Sequence, residues 1–185
     1  MRENLRKAIF LDRDCTIIED MEFSVAPEKL RPLPGALEAM RRMRQAGYAL
    51  VIITNQSGVG RGHFTEEELR GFHRHLVSWM KKHGVEIAGV YYCPHYANGS
   101  VKEYALACEC RKPGPGMVLR AAKEMKLDLA NSWMIGDRPA DIGAGKAAGC
   151  RTIRVLTGPP PAPGDPAPDF QVPDMISAAK VVLGE

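Results

Sequence analysis

Four short apolar runs constrain this chain more than any other feature. Lys7 to Leu11 ends at Asp12, and Tyr48 to Ile53 ends at Thr54-Asn55-Gln56. Ser132 to Ile135 ends at Gly136-Asp137, and Thr152 to Leu156 ends at Thr157-Gly158. Unbroken runs rich in Val, Ile and Leu mark strands buried on both faces, as in a parallel sheet. Helical patterns lie between them. Pro34-Gly35 opens one over Ala36 to Gln45, and Gly47 closes it. Thr65, with Glu68 three residues on, has the capping-box spacing and starts a helix through about His83. Pro115 stands near the first turn of a helix to about Lys126, and Pro139 does the same for one that stops near Gly149. A last helix is expected over Pro173 to Leu183. Strands alternating with helices imply an α/β fold with a doubly wound parallel sheet.

With 185 residues, the chain is expected to form one domain over 1–185. Two stretches break the rhythm: Cys93 to Pro115 has little periodicity, and residues 159–168 hold six prolines. The second reads as an extended surface loop, because proline cannot join a central ladder. Net charge is +3 with no dense Lys/Arg run, so nucleic acid is not an expected partner. The start, Met1-Arg2-Glu3-Asn4, is polar, and no apolar stretch approaches the ~20 residues of a membrane span. A cytoplasmic protein without a membrane partner is expected.

In an open parallel sheet, ligands bind beyond the carboxyl ends of the strands. Three of the runs end there in Asp12 and Asp14, in Thr54 and Asn55, and in Asp137 with Asp141. Carboxylates gathered around one point make a hard oxygen-donor site suited to Mg²⁺. A second set is Cys93-Pro94-His95 with Cys108-Glu109-Cys110. Three of the five cysteines crowd here, which favours a metal site over disulfides. Cys93, His95, Cys108 and Cys110 form a Cys₃His set, the donor set of a closed, structural zinc site. Such an ion would fix a loop too poor in apolar residues to hold its own shape.

Taken in order, Asp12-x-Asp14-x-Thr16, Thr54-Asn55, Lys112-Pro113 and Gly136-Asp137-x-x-x-Asp141 resemble the four motifs of the haloacid dehalogenase superfamily. The resemblance implies a Rossmann-like sheet of that type without a large cap domain, and a Mg²⁺-dependent phosphomonoester hydrolase. It implies that Asp12 attacks phosphorus. Asp14 protonates the leaving oxygen and then activates water. Thr54 and Lys112 hold the phosphoryl oxygens. Asp137 binds Mg²⁺ with the Asp12 carboxylate and the Asp14 backbone carbonyl. The chemistry is coherent, because an ionised carboxylate and a phosphate dianion repel each other unless cations stand between them.

The cysteine loop narrows the resemblance to a zinc-loop branch with two relatives, the heptose 1,7-bisphosphate 7-phosphatases and the histidinol-phosphate phosphatases. The histidine-to-cysteine loop of the latter is short, whereas twelve residues separate His95 from Cys108 here. Cys108-x-Cys110-Arg111-Lys112-Pro113 and Thr54-Asn55-Gln56-Ser57-Gly58 are similar to the heptose enzymes, which act on the way to ADP- or GDP-heptose. This resemblance implies a sugar bisphosphate as substrate, and a small chain without a large cap domain is expected to be a monomer. It assigns Asn55, Gln56 and Ser57 to the phosphate pocket and Arg111 to a second phosphate, where a guanidinium fork fits. Arg138 is expected to line the pocket. Asp20 and Phe23 lie in a substrate-contacting loop, although the Gly-Tyr pair of the pattern is absent. Cys15 replaces a glycine of the pattern; it reads as a tolerated small residue with a raised thiol pKa. Cys150 and the histidines between 63 and 83 read as packing or surface residues. Two other readings stand beside this one: histidinol phosphate as substrate, and a zinc-loop binding protein with a relict active site.

Overall fold

A computed structural model describes residues 5–185; the polar opening Met1-Arg2-Glu3-Asn4 lies outside the described residues. The strands are β1 (Ala8–Leu11), β2 (Ala49–Asn55), β3 (Gly89–Cys93), β4 (Trp133–Gly136), β5 (Arg151–Val155) and β6 (Phe170–Val172). They form one sheet in the order β3-β2-β1-β4-β5-β6, and every pairing is parallel. The helices are α1 (Ala36–Gln45), α2 (Gly58–Arg61), α3 (Glu66–Lys82), α4 (Gly116–Met125), α5 (Pro139–Ala147) and α6 (Met175–Leu183). This is the doubly wound fold that the alternating runs predict.

The period of two along each strand divides the interior into two cores. In β1, Ile9 and Leu11 face one core with Met40 and Met43 of α1, Leu76 of α3 and Ala178 of α6. Ala8 and Phe10 face the other, with Met117, Val118 and Ala121 of α4. A strand covered on both faces has no polar position, which is why the run is continuous. Burying such a chain is worth roughly 25 cal/mol per Å² of apolar surface, so the sheet centre dominates the stability.

The expected capping box is in place, and α6 has a cap that was not expected. The Thr65 hydroxyl accepts from the Glu68 N–H at 3.2 Å, and the Thr65 N–H donates to Glu68 Oε2 at 2.7 Å. Asp174 caps α6 by accepting from Ser177 N–H at 2.8 Å. Residues 159–168 carry neither helix nor strand, as proline predicts. They are nevertheless anchored by Arg154, which is 1% exposed. Its Nη1 donates to Asp165 Oδ2 at 2.7 Å and its Nη2 to the Pro159 carbonyl at 3.3 Å. Cys150 is buried, and none of the five cysteines is in a disulfide.

Two edge strands escape the run criterion. β3 is only half-buried over Gly89–Tyr92, and β6 is three residues long with Phe170 exposed. An edge strand has one neighbour and a wet face, so it lacks the continuous apolar signature. No helix among the described residues is long and apolar enough to cross a membrane.

Candidate active site

β1 lies at the centre of the sheet, flanked by β2 and β4. The chain reverses its winding between β1 and β4, which opens a crevice beyond their carboxyl ends. Asp12 follows β1 directly, and its N–H still donates to the Ile135 carbonyl of β4 at 3.0 Å. Thr54 is on β2, and Asp137 follows β4. Asp12, Thr54 and, past β4, Arg138 and Asp141 line a cleft of about 500 Å³.

Lys112 binds the acidic groups together. Its Nζ lies 2.7 Å from Asp12 Oδ1 and 2.6 Å from Asp141 Oδ1, and it donates to the Ile53 carbonyl at 2.8 Å. Asn55 fixes the Lys112 backbone on both sides of its Cα. It accepts from the Lys112 N–H at 3.0 Å and donates to the Lys112 carbonyl at 3.1 Å. Burial pulls the Lys112 ammonium down, but the Asp12 and Asp141 carboxylates outweigh it and raise it to about 12.

Asp12, Asp137 and Asp141 present carboxylate oxygens within 4.8 Å of one another, and all three are buried. One ammonium faces three carboxylates. Burial, followed by Asp12 and Asp141, pushes Asp137 up to about 7. Burial, followed by Asp141, raises Asp12 against the pull of Lys112. Asp137 Oδ2 is buried and makes no hydrogen bond among the described residues, with Arg138 Nε 3.6 Å away as its ion-pair neighbour. This surplus of buried negative charge on hard oxygen donors fits a divalent cation. The backbone is shaped for it. A Cβ on Gly136 would stand 2.3 Å from Asp141 Cγ, so only glycine lets α5 bring Asp141 this close to β4.

Asp14 is 24% exposed and turned toward the cleft. Arg13 Nη2 donates to its Oδ2 at 2.9 Å, and Gln56 Nε2 donates to the same oxygen at 3.0 Å. Gln56 Nε2 also reaches Thr54 Oγ1 at 2.8 Å. All the side chains expected to touch substrate line the cleft: Asn55, Gln56, Ser57, Arg111, Arg138, Asp20 and Phe23. In the loop where the Gly-Tyr pair is missing, Glu22 and Phe23 adopt φ of 47° and 58°. Phe23 is half-exposed and stacks on His63, with ring centroids 4.7 Å apart.

The second constellation closes at the end of β3. Cys93 is its last residue. Cys93 Sγ lies 3.5 Å from Cys108 Sγ and 3.2 Å from Cys110 Sγ, while His95 Nδ1 lies 3.3 Å from Cys110 Sγ. Four donors of that chemistry at one point fit a closed tetrahedral zinc site. Arg111 Nη1 donates to the His95 carbonyl at 3.2 Å, which ties the loop to the mouth of the cleft.

Sequence reasoning missed Arg13, His73 and Arg154, and gave Asp141 no role of its own. Arg13 was given no role beside the two acids, yet it is 2% exposed and bonded to Asp14, Gln56 and His73. His73 reads as ordinary packing, yet its ring nitrogen meets Arg13. Asp141 is legible only as a motif position, and Arg154 gives no signal inside an apolar run. Cys15 answers its expectation. Burial, then Asp137, Asp20 and Asp14, push its thiol up to about 11.

A family model described as HAD-hyrolase-like matches residues 109–178. A D-glycero-beta-D-manno-heptose-1,7-bisphosphate 7-phosphatase of Yersinia pestis is 40% identical over 181 residues, covering 95% of this chain and 94% of that protein. This chain belongs to the HAD-like phosphatase family. A second member of that name, from Rhodopseudomonas palustris, is 45% identical over 80% of this chain and 83% of its own length. The family's D,D-heptose 1,7-bisphosphate phosphatase from B. bronchiseptica, solved with magnesium and phosphate, superposes with a TM-score of 0.79 at 31% identity. That likeness covers 96% of this chain and 98% of the other. HAD-like phosphatases use Mg²⁺, and the acidic set at the β1 and β4 ends is where this member would hold it.

Proposed function

We propose that this chain hydrolyses the 7-phosphate of D-glycero-beta-D-manno-heptose 1,7-bisphosphate, a step toward nucleotide-activated heptose. The observation that carries the reading is the buried Lys112 bridging Asp12 and Asp141 at the floor of a cleft whose rim bears Arg111 and Arg138. The floor suits one phosphoryl group. The two guanidinium groups at the rim suit a second one on the same small molecule. The relatives named for heptose bisphosphate support the same substrate.

Asp12, Asp137 and the Asp14 backbone carbonyl would hold Mg²⁺, and Cys93, His95, Cys108 and Cys110 would hold a structural Zn²⁺. Bound Mg²⁺ supplies positive charge between the nucleophile and the phosphoryl oxygens. Lys112 and Thr54 orient those oxygens. Asp12 Oδ forms a bond to phosphorus while the bond from phosphorus to the sugar oxygen breaks. Asp14 gives that oxygen its proton. Asp14 then takes a proton from water, the water oxygen bonds phosphorus, and the bond to Asp12 breaks to release phosphate. Splitting the hydrolysis in this way replaces one difficult displacement with two easier ones.

The test compares kcat/KM for heptose 1,7-bisphosphate and histidinol phosphate. A preference for the bisphosphate of at least ~100-fold is expected, since a fork–fork phosphate contact is worth a few kcal/mol. A preference for histidinol phosphate overturns the substrate. Asp12→Asn is expected to lose turnover by ~10³-fold or more while keeping its fold and zinc content. Appreciable activity in that variant removes the nucleophile assignment.

A further inference from the structure

The Arg13 guanidinium is buried against Asp14 and depends on a partner from α3. Its Nη2 donates to Asp14 Oδ2 at 2.9 Å, Asp14 Oδ1 at 3.0 Å and Gln56 Oε1 at 3.1 Å. Its Nε reaches Asp14 Oδ1 at 3.3 Å. The Phe72 ring stands 5.1 Å from its Cζ. Nη1 meets His73 Nε2 at 3.1 Å, across 60 residues of chain.

A guanidinium only donates, so His73 Nε2 must accept. The ring is therefore neutral, and its proton sits on Nδ1. That Nδ1 is buried and has no hydrogen-bond partner among the described residues. A buried, unmatched N–H is destabilising, a cost that an apolar side chain of similar size would avoid. Burial, followed by the Arg13 charge, holds the His73 pKa down to about 3. The ring stays an acceptor throughout the neutral range. The Tyr92 ring, 5.3 Å away at 53°, braces it from the β3 side. Tyr92 is itself held by its hydroxyl, which donates to Glu66 Oε1 at 2.7 Å. The histidine is thus an energetically awkward choice whose one polar contact aims Arg13.

We propose that His73 is a positioning residue for Asp14: it fixes the Arg13 guanidinium, which with Gln56 holds the Asp14 carboxylate at the mouth of the cleft. This rests on Asp14 being the acid and base of the proposed phosphatase reaction.

The experiment uses His73→Leu, His73→Gln and His73→Asn beside Asp14→Asn. The glutamine carbonyl can reach Arg13 Nη1, whereas leucine offers no acceptor and asparagine is too short. Two substrates are used: the sugar bisphosphate, whose alkoxide needs a proton to leave, and p-nitrophenyl phosphate, whose phenolate does not. For His73→Leu, kcat on the sugar bisphosphate should fall ~10–100-fold, with KM changed less than ~3-fold, a partial loss of general acid–base catalysis. On p-nitrophenyl phosphate the same variant should show a burst of nitrophenolate, because the aspartyl phosphate forms normally and breaks down slowly. His73→Gln should restore steady turnover to within ~3-fold of the parent and abolish the burst. If His73→Leu does not fold, His73→Asn carries the same expectation. Equal kcat in parent and His73→Leu, or glutamine no better than leucine and asparagine, overturns the proposal. Near-normal turnover of the sugar bisphosphate by Asp14→Asn instead overturns the acid–base reading beneath it.

Discussion

Gly158 lies directly against Asp137: a Cβ added to Gly158 would stand 1.9 Å from Asp137 Oδ2. Arg154 backs the same residue, with its Nε donating to the Asp137 carbonyl at 3.2 Å. The acidic end of β4 is therefore walled in by chain that follows β5.

Gly158→Ala is expected to push the Asp137 carboxylate out of the acidic set. The Mg²⁺ concentration for half-maximal activity should rise at least ~10-fold, as lost metal ligands and their supports typically do. Stability should fall by ~1–3 kcal/mol from overpacking. A Mg²⁺ titration of phosphate release and a urea melt measure the two effects. An unchanged Mg²⁺ requirement would contradict the contact.

Cys15 stands with φ of 54°, in the left-handed region that costs a residue with a Cβ about 1–2 kcal/mol. The resembling family's glycine at this position has a conformational reason. Cys15→Gly should fold with equal or higher stability, by up to ~1 kcal/mol, and keep its activity. Cys15→Val, branched at Cβ, should lose ~1–3 kcal/mol. Thermal melts of the three proteins decide it; a stable valine variant would argue against the strain.

Removing zinc should act on shape before chemistry. Metal analysis is expected to find one zinc per chain. Chelation, or Cys108→Ala, should lower Tm by several degrees and raise KM for the bisphosphate more than it lowers kcat, since Arg111 hangs from the His95 carbonyl. A Tm unmoved by chelation would refute a structural metal.

His73 makes folding pH-dependent. Its folded pKa of about 3 lies below the ordinary value of 6.5, so the unfolded chain binds the extra proton. Stability is then full above pH 6.5 and falls as pH drops toward 3, by at most ~1.4 kcal/mol per pH unit. Urea unfolding at pH 7 and pH 5 should show a steeper loss for the parent than for His73→Gln. Equal slopes would mean that His73 titrates normally.

The central strands and their terminal acids were legible because burial on both faces leaves an unmistakable run, and the crevice beyond it needs chemistry. The capping box at Thr65 was legible because it is local. β3 and β6 were not, since edge strands carry no such run. Nor was the pairing of Arg13 with His73, which depends on how α3 lies across the sheet, a tertiary relation with no short-range signal. Asp141 was visible only as a spacing. Its closeness to Asp12 comes from the bare Gly136 beneath it.

The strand that ends at Asp12, the proposed nucleophile, sits in the middle of the sheet. During synthesis, β1 gains its β2 neighbour promptly, but its β4 neighbour leaves the ribosome more than a hundred residues later. The backing from Gly158 and Arg154 comes later still. Asp12 is thus made well before Asp137 and Asp141, and until they follow it has neither of these acidic partners. Under the proposed reaction, a product that ends before β4 lacks Asp137 and Asp141 and is expected to be inert rather than an indiscriminate phosphatase.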